Sequence, residues 1–383
     1  MTRGNGVILI EHGPEGRPVV FDTPLQVFSA FAADEVLPAL RAAEAARQAG
    51  HWIAGYVGYE AGYAFEDKLA PLAKRGGEAP LLVLAAYAAP EPAEAVLAAA
   101  RAGAALAGLS DLAPEISRAE YGAAFDRVKA YIAAGDCYQI NLTLPWRARL
   151  VGEAIGLYGR LQALQPVGFG ALVDLGVGPV LISRSPELFF SVEGGRIEAR
   201  PMKGTAPRSD DPVEDAMLAA ALRGREKDRA ENLMIVDLLR NDIARMARVG
   251  SVKVPELFAI ESYATVHQMI SRVQGDLLRS AGVPEVMAAL FPCGSITGAP
   301  KIRAMEIIAE VEPQPRGAYC GAIGWAAPDD RQVWNVAIRT LRVTGAEVTF
   351  NVGGGIVHDS DVDQEWEETL WKARFATRAM IPG

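Results

Sequence analysis

Two pairs of acidic residues are spaced so that each pair would lie on one face of a helix. Asp228 and Glu231 share one predicted helix, and Glu365 and Glu368 share another near the C-terminus. Carboxylates from two helices could together bind Mg²⁺, which prefers a few protein carboxylates plus water and substrate oxygens. Acids at this spacing more often form a solvated face, and Lys372 could make an ordinary ion pair with Glu368. The spacing alone leaves both interpretations open.

A lysine stands between an apolar residue and Gly-Thr in the run PMKGT (201–205). If burial desolvated Lys203, its neutral amine would be a nucleophile. A lone lysine in a loop is far more often a surface charge. Lys203 is therefore a candidate nucleophile that needs partners elsewhere in the chain.

Two glycine-containing segments could bind anions through backbone N–H groups. Residues 294–301 (GSITGAPK) lead into a predicted helix with Pro300 near its first turn. Gly353, Gly354 and Gly355 follow a predicted strand over 347–352. The first segment could equally be a plain entry into a helix, and the three glycines could mark a tight turn.

An arginine lies in the predicted strand 333–341. Trp334, Val336 and Ile338 would share the apolar face of that strand, and Arg339 would lie on the other face. A guanidinium in that position suits a bidentate contact with a carboxylate. It could also close a structural ion pair.

Helices and strands alternate around these residues. Ser117 and Glu120 have the form of a capping box at the start of one helix, and Gly135 stands where that helix would end. A short break is expected at 109–114. Periodicity alone does not choose between a wound α/β and an α+β arrangement. The predicted helices cover 33–49, 92–107, 117–135, 211–222, 225–245, 284–290, 299–311 and 364–380, and the predicted strands 6–10, 138–144, 171–174, 180–182, 188–192, 333–341 and 348–352.

Composition excludes several classes of protein. The chain has 383 residues, of which 50% are hydrophobic, so it can bury a large core. Its net charge of −9 and the lack of a basic block argue against a nucleic-acid partner. Three cysteines without a CxxC pair, and four scattered histidines, argue against zinc and disulfides. The longest apolar run, 81–89, is half a membrane span, so we expect a soluble cytoplasmic protein with no membrane partner.

Eight stretches, in order along the chain, resemble the chorismate-utilising enzyme family over roughly residues 115–380. The resemblance implies an α+β fold, a single large intertwined two-sheet β-sandwich flanked by helices. Residues 1–114 would be an N-terminal subdomain of the same sandwich and 115–383 the chorismate-binding catalytic domain. The stretches are GDCYQINL (135–142), SPE (185–187), PMKGT (201–205), ENLMIVDLLRND (231–242), SITGAPK (295–301), YCGAIGW (319–325), AIRT (337–340) and EWEETLWK (365–372).

The resemblance also implies a role for each candidate residue. Glu231 and Glu368 would hold Mg²⁺, with Asp228 and Glu365 near its waters, and the metal would bind the ring carboxylate of chorismate. The residues that line the substrate would be Gly204, Thr205 and Lys372 beside the ring carboxylate, Tyr319, Arg339, Gly353, Gly354 and Gly355 beside the enolpyruvyl carboxylate, and Gln139 and Ser295 elsewhere in the site.

The implied chemistry uses an acid and a nucleophile. Glu187, if burial keeps it protonated, would protonate the departing C4 hydroxyl. Lys203 would attack ring carbon C2, and ammonia would then add at C4 and expel the lysine. His267 would lie near the ring. The product would be 4-amino-4-deoxychorismate, for the synthesis of 4-aminobenzoate and folate.

Two positions indicate the branch of the family. Members that make anthranilate usually carry alanine where this chain has Lys203, and members that make isochorismate or salicylate carry a lysine base where it has Gln139. The combination is typical of the branch that makes aminodeoxychorismate. Cys293 departs from the smaller residue that relatives carry there.

Ammonia needs a source. The sequence shows no Gly-x-Cys-x-Gly turn of a glutaminase around Cys137 or Cys293. We therefore expect a separate glutamine amidotransferase subunit to supply ammonia.

Other functions are compatible with parts of this pattern. The nearest alternative is component I of an anthranilate synthase, which differs in its product. A catalytically silent regulatory homologue is a second alternative, although the complete set of candidate residues argues against it. A metal-dependent hydrolase would leave Lys203 and the three glycines without a purpose.

Overall fold

The computed structural model describes residues 6–75, 79–263, 266–278 and 281–381. Two large antiparallel sheets form its frame, and a shared apolar core between them joins Ile8 and Leu181 of one sheet to Ala54 and Ile323 of the other. Helices pack around both sheets and bury a second, larger core. The expected α+β two-sheet sandwich is confirmed.

Each sheet has ten strands within the described part of the chain. The first contains β1 (Val7–Ile10), β2 (Val19–Phe21), β6 (Glu91–Pro92), β7 (Gly108–Pro114), β8 (Gln139–Val151), β9 (Phe169–Asp174), β10 (Val180–Ser185), β16 (Gly298–Ala299), β19 (Thr340–Thr344) and β20 (Glu347–Ile356). The second contains β3 (Gln26–Ala30), β4 (Trp52–Val57), β5 (Leu82–Tyr87), β11 (Leu188–Glu193), β12 (Arg196–Ala199), β13 (Met202–Pro207), β14 (Lys253–Ser262), β15 (Val266–Asp276), β17 (Ala322–Ala326) and β18 (Gln332–Val336).

Strands from the first 114 residues lie in both sheets: β1, β2, β6 and β7 in the first, and β3, β4 and β5 in the second. The N-terminal part thus contributes to the same sandwich, while a domain boundary at residue 114 stays a prediction. Among the described residues, no helix has the length and apolar character needed to cross a membrane. The helices are α1 (Ala33–Gln48), α2 (Glu94–Gly103), α3 (Arg118–Ala133), α4 (Ala154–Leu164), α5 (Pro212–Gly224), α6 (Glu226–Ala244), α7 (Val283–Leu290), α8 (Lys301–Val311), α9 (Val362–Lys372) and α10 (Arg374–Thr377).

The capping signal at the start of α3 is accurate, but other predicted boundaries are wrong. The capping box of α3 is present, because the side chain of Ser117 accepts from the backbone N–H of Glu120 and the carboxylate of Glu120 accepts from that of Ser117. The predicted helix 364–380 is too long, since α9 ends at Lys372 and only α10 follows. The predicted break at 109–114 is wrong, because these residues pair with β8 as β7.

Three strand predictions also need correction. The strand predicted over 333–341 ends at Val336 in one sheet and begins again at Thr340 in the other, and Arg339 in the crossover has a φ of +50°. Gly353, Gly354 and Gly355 do not follow a strand but lie within β20, where they pair with β8. Lys203 is not in a loop but on β13, at the end of the main path of its sheet. An alternating pattern cannot reveal a change of sheet or a distant partner strand.

Candidate active site

A bulge in β13 directs Lys203 towards α6. The register of β13 against β15 shifts between Lys203 and Thr205, so Gly204 is an extra residue, with a φ of +76°. A Cβ on Gly204 would lie 2.9 Å from the carboxyl carbon of Asp228, so only glycine allows this approach of strand and helix. The side chain of Lys203 is only 16% exposed, and its Nζ lies 3.8 Å from Oε2 of Glu231. Lys203 is therefore a largely desolvated group within a site.

Glu187 lies next to this lysine, in the short connection between β10 and β11. Glu187 is only 5% exposed, and the hydroxyl of Ser295 donates a hydrogen bond to Oε1 of Glu187 at 2.9 Å. Burial raises the pKa of Glu187 to about 7, against the opposing effects of the Ser295 hydroxyl, the charge of Lys203 and the backbone N–H of Met202. At neutral pH a large fraction of Glu187 is thus a neutral acid, beside a candidate nucleophile.

The second acidic pair lies on α9. The hydroxyl of Ser360 donates to Oε1 of Glu365 at 2.7 Å, and burial raises the pKa of this carboxyl. Lys372 lies 2.6 Å from Oε1 of Glu368 and also donates to the carbonyl of Gly353 at 2.6 Å. Burial opposes ionisation of Glu368, but the ammonium of Lys372 lowers its pKa. Glu365 thus favours the neutral form of its carboxyl, and Glu368 favours the charged form.

Two lysines, Lys203 and Lys227, lie near both acidic pairs. The charges of Lys203 and Lys227 both act on Glu368, and Lys227 also acts on Glu365. A Cβ on Gly354 would lie 2.8 Å from Oε2 of Glu365, so β20 closes the space between these groups from a third side. Within the described ranges, no three His, Cys, Asp or Glu side chains are already arranged as a metal site. Lys203 thus brings one positive charge near a carboxylate of α6 and a carboxylate of α9, and carboxylate oxygens are the ligands that a hard cation prefers.

A buried amide lies at the other end of the glycine run. Gln139 begins β8 and is fully buried, and neither its Oε1 nor its Nε2 has a hydrogen-bond partner among the described residues. A Cβ on Gly355 would lie 2.8 Å from that Nε2. An unpaired buried amide is costly, so Gln139 is suited to bind a molecule that enters the site.

Arg339 offers a charge without a counter-ion. Among the described residues its guanidinium has no ion-pair or hydrogen-bond partner, and burial lowers the pKa of Arg339. Tyr319 is 5% exposed, and the backbone N–H of the next residue, Cys320, donates to the carbonyl of Ala337 at 3.0 Å. This contact holds the Tyr319 segment against the crossover that carries Arg339. A carboxylate of a bound molecule would supply the missing partner.

His267 is tied to a different set of partners. Its Nε2 lies 2.9 Å from Oδ1 of Asp215 on α5, and its Nδ1 lies 2.8 Å from Oγ of Ser262. Among the contacts of the described residues, none joins His267 to Lys203 or Glu187. Its proposed part in catalysis stays a prediction.

Three residues of the site were not predicted from the sequence. Lys227 is the neighbour of Asp228, but nothing in the spacing shows that it acts on α9. The thiol of Cys293 lies 3.2 Å from the hydroxyl of Ser295. Asp215 had no signal beyond its position in a predicted helix. Lys227 and Asp215 depend on contacts between segments that are distant in sequence, and Cys293 depends on the contact of its neighbour Ser295 with Glu187.

Comparison with known proteins identifies similar chains. A family profile described as chorismate binding enzyme matches residues 6–378. Aminodeoxychorismate synthase component 1 of Salmonella typhimurium (strain LT2) is 46% identical over 257 residues, which cover 67% of this chain and 56% of that protein. The protein of the same name from Escherichia coli K12 is 44% identical over 263 residues, covering 69% and 58%. The similarity thus spans little more than half the length of these relatives.

This chain is also similar to an anthranilate synthase in sequence and to two solved enzyme structures. Anthranilate synthase component 1 of Streptomyces coelicolor is 40% identical over 265 residues, covering 69% of this chain and 52% of that protein. The crystal structure of anthranilate synthase component I from Streptococcus pneumoniae superposes with a TM-score of 0.74 at 26% identity, over 97% of this chain and 89% of that one. The menaquinone-specific isochorismate synthase of Escherichia coli gives 0.74 at 16% identity, over 99% and 89%, which shows the shared fold alone.

Proposed function

The chain belongs to the chorismate-binding enzyme family, and from this we propose that it converts chorismate and ammonia to 4-amino-4-deoxychorismate, as component 1 of an aminodeoxychorismate synthase in 4-aminobenzoate and folate synthesis. The observation that carries the proposal is the pairing of a desolvated lysine with a buried acid, Lys203 with Glu187. Relatives with that name at 44–46% identity support it. Gln139, in place of a lysine base, supports this product over isochorismate.

Chorismate carries two carboxylates, and the site has cationic groups for both. Arg339 would bind the enolpyruvyl carboxylate, helped by Tyr319 and the backbone of β20 at its three glycines. Glu231 and Glu368 would hold Mg²⁺, with Asp228 and Glu365 close to its waters. Mg²⁺, when bound there, would supply positive charge that offsets the ring carboxylate, and Glu231 would then no longer depend on Lys203 for its counter-charge. Gly204, Thr205 and Lys372 would line the same end of the substrate.

The reaction replaces a poor leaving group in two displacements. After Lys203 loses its ammonium proton to water, the lone pair of its amine attacks C2, the two conjugated ring double bonds shift, and the C4 hydroxyl leaves as water with the proton of Glu187. Ammonia then attacks C4, the two ring double bonds shift back, and the bond from C2 to Lys203 breaks with its electron pair on the lysine nitrogen. The proton that ammonia loses returns to the carboxylate of Glu187 or to the departing amine. Glu187 thus has to be neutral for the first displacement.

Ammonia would come from a separate glutamine amidotransferase subunit. The names of the relatives, as component 1 of a synthase, support the existence of a second component. With free ammonium in excess, the proposed amination should proceed without that subunit, because both displacements use only groups of this chain.

The product of a single incubation tests the proposed function. The purified chain should convert chorismate, in the presence of Mg²⁺ and ammonium, to 4-amino-4-deoxychorismate, identified by mass and absorbance. Omission of ammonium, and addition of EDTA, are the controls. Anthranilate as the main product would replace the proposal with the alternative function that the 40% identical relative bears. No turnover under any of these conditions would favour a silent homologue.

Substitutions of two neighbouring glycines, Gly353 and Gly354, should separate an effect on Mg²⁺ binding from an effect on folding stability. A Cβ on Gly354 meets the flexible end of Glu365 at 2.8 Å, whereas a Cβ on Gly353 meets the backbone carbonyl of Leu142 at 2.5 Å. We expect Gly354→Ala to keep its Tm within about 2 °C and to raise the Mg²⁺ concentration needed for half-maximal activity about tenfold. Gly353→Ala should lower Tm by about 5 °C or more. Equal effects of both variants on Tm would contradict this division.

A further inference from the structure

A buried chain of polar groups leads away from the candidate acid Glu187. The hydroxyl of Ser295 lies 2.9 Å from Oε1 of Glu187, and the thiol of Cys293 lies 3.2 Å from the same hydroxyl. All three residues are at most 5% exposed. Groups this deeply buried cannot exchange their hydrogen-bond partners for water. The protein therefore determines which group donates and which accepts in this series of hydrogen bonds.

The direction of the hydrogen bonds among Cys293, Ser295 and Glu187 follows from the bond that the Ser295 hydroxyl donates to Glu187. The backbone N–H of Ser295 also acts on the thiol of Cys293, where it opposes the larger pKa-raising effect of burial. The single hydroxyl proton of Ser295 is used in the bond to Oε1 of Glu187. When the Ser295 hydroxyl donates to Glu187, the proton between Ser295 and Cys293 is that of the thiol, and in this arrangement the thiol donates to the hydroxyl oxygen. Each bond strengthens the next, because a hydroxyl that accepts a bond is a better donor.

We propose that Ser295 and Cys293 are positioning residues that hold Oε1 of Glu187 as an acceptor, so that the transferable proton of the acid lies on Oε2. The inference rests on the proposed function, in which Glu187 protonates the leaving hydroxyl. Ser295 then acts through the acid, and it is not required to touch the substrate. Cys293 is the group that fixes the direction of the Ser295 hydroxyl.

Other charged groups near Glu187 do not supply this directionality. Lys203 on β13 acts on Glu187 through its charge, and Lys301 at the start of α8 acts on Cys293. Burial raises the pKa of Cys293 to about 12, so the thiol keeps its proton throughout the working range. The thiol is thus a lasting donor, and its oxidation or ionisation has no part in the proposal.

A titration that needs no turnover tests the inference. The infrared carbonyl band of the protonated Glu187, identified by its loss in Glu187→Gln, is followed against pH in the complete chain without chorismate. Ser295→Ala should raise the pKa of Glu187, because the lost hydroxyl bond favours the charged form. Cys293→Ala should raise it less, and Cys293→Ser, which keeps a donor, should return it to the wild-type value. An unchanged titration in Ser295→Ala would overturn the proposal, as would identical shifts in Cys293→Ala and Cys293→Ser.

Turnover gives a second measurement. In the chorismate and ammonium assay, we expect kcat to fall about tenfold in Ser295→Ala and about threefold in Cys293→Ala. In both variants the alkaline limb of the pH profile should move to higher pH. Cys293→Ser should have the wild-type kcat and pH profile. Equal losses in both cysteine variants would assign Cys293 a packing role instead. Thermal unfolding of each variant identifies any loss that comes from misfolding. If the chain made no aminodeoxychorismate at all, the proposed function would fail, while the infrared titration would still decide the positioning role.

Discussion

Lys203→Ala should lower the rate of 4-amino-4-deoxychorismate formation by at least about 10³-fold, because it removes the nucleophile that the proposed two-step displacement needs. The side chain is largely buried and lies 3.8 Å from Glu231, so its loss also removes the ion pair of that carboxylate. The measurement is kcat with chorismate, Mg²⁺ and saturating ammonium, with the product identified by mass. Binding of chorismate should weaken much less than kcat falls.

Lys203→Arg separates nucleophilic attack from charge. An arginine keeps a positive charge near Glu231 and Glu187, but it does not lose its proton under working conditions. We therefore expect Lys203→Arg to be as inactive as Lys203→Ala. Activity within about tenfold of wild type in the arginine variant would assign Lys203 an electrostatic role, and full activity in the alanine variant would exclude any role in the reaction.

The parts of the site that the sequence predicted correctly depend on local geometry. Residues three apart on a helix share a face whatever the rest of the chain does, so both acidic pairs could be placed on α6 and α9. The start of α3 was likewise given by Ser117 and Glu120, which contact each other within one turn. The resemblance to the chorismate-utilising family supplied the two-sheet fold, which periodicity could not choose.

The parts that could not be predicted depend on pairing between distant segments. Arg339 was expected on the face of a continuous strand, yet the chain changes sheets around it and leaves its guanidinium in the crossover. The three glycines were expected to follow a strand, but they lie within it, and β8 pairs along their whole length. Side-chain alternation has the same period in either sheet, so it carries no information about which strand is the neighbour.

The same limit explains why the surroundings of the acid were missed. Glu187, Lys203 and Ser295 come from three separate stretches, and nothing in any one stretch shows that Ser295 donates to Glu187. The resemblance had placed Ser295 against the substrate. Its observed contact is with the acid, so the rate should depend on Ser295 through the protonation of Glu187.

That protonation gives the reaction a defined dependence on pH. Burial raises the pKa of Glu187 to about 7, so the neutral acid is abundant below that pH and disappears above it. We expect kcat for the amination to decline as pH rises through 7, because the C4 hydroxyl then has no proton donor. Glu187→Gln cannot donate a proton and should lose about 10² to 10⁴ in kcat at pH 6.5, with no remaining alkaline limb.

Stability supplies the control for Glu187→Gln. The folded pKa of Glu187 is above its ordinary value of 4.5, so the wild type loses folding free energy as pH rises from about 4.5 through 7, where the buried carboxyl ionises. The amide cannot ionise, so the variant should be at least as stable as the wild type at pH 8. A stable variant that retains wild-type kcat would show that the proton comes from another group. A variant that unfolds at pH 8 would contradict the assignment of a raised pKa to this carboxyl.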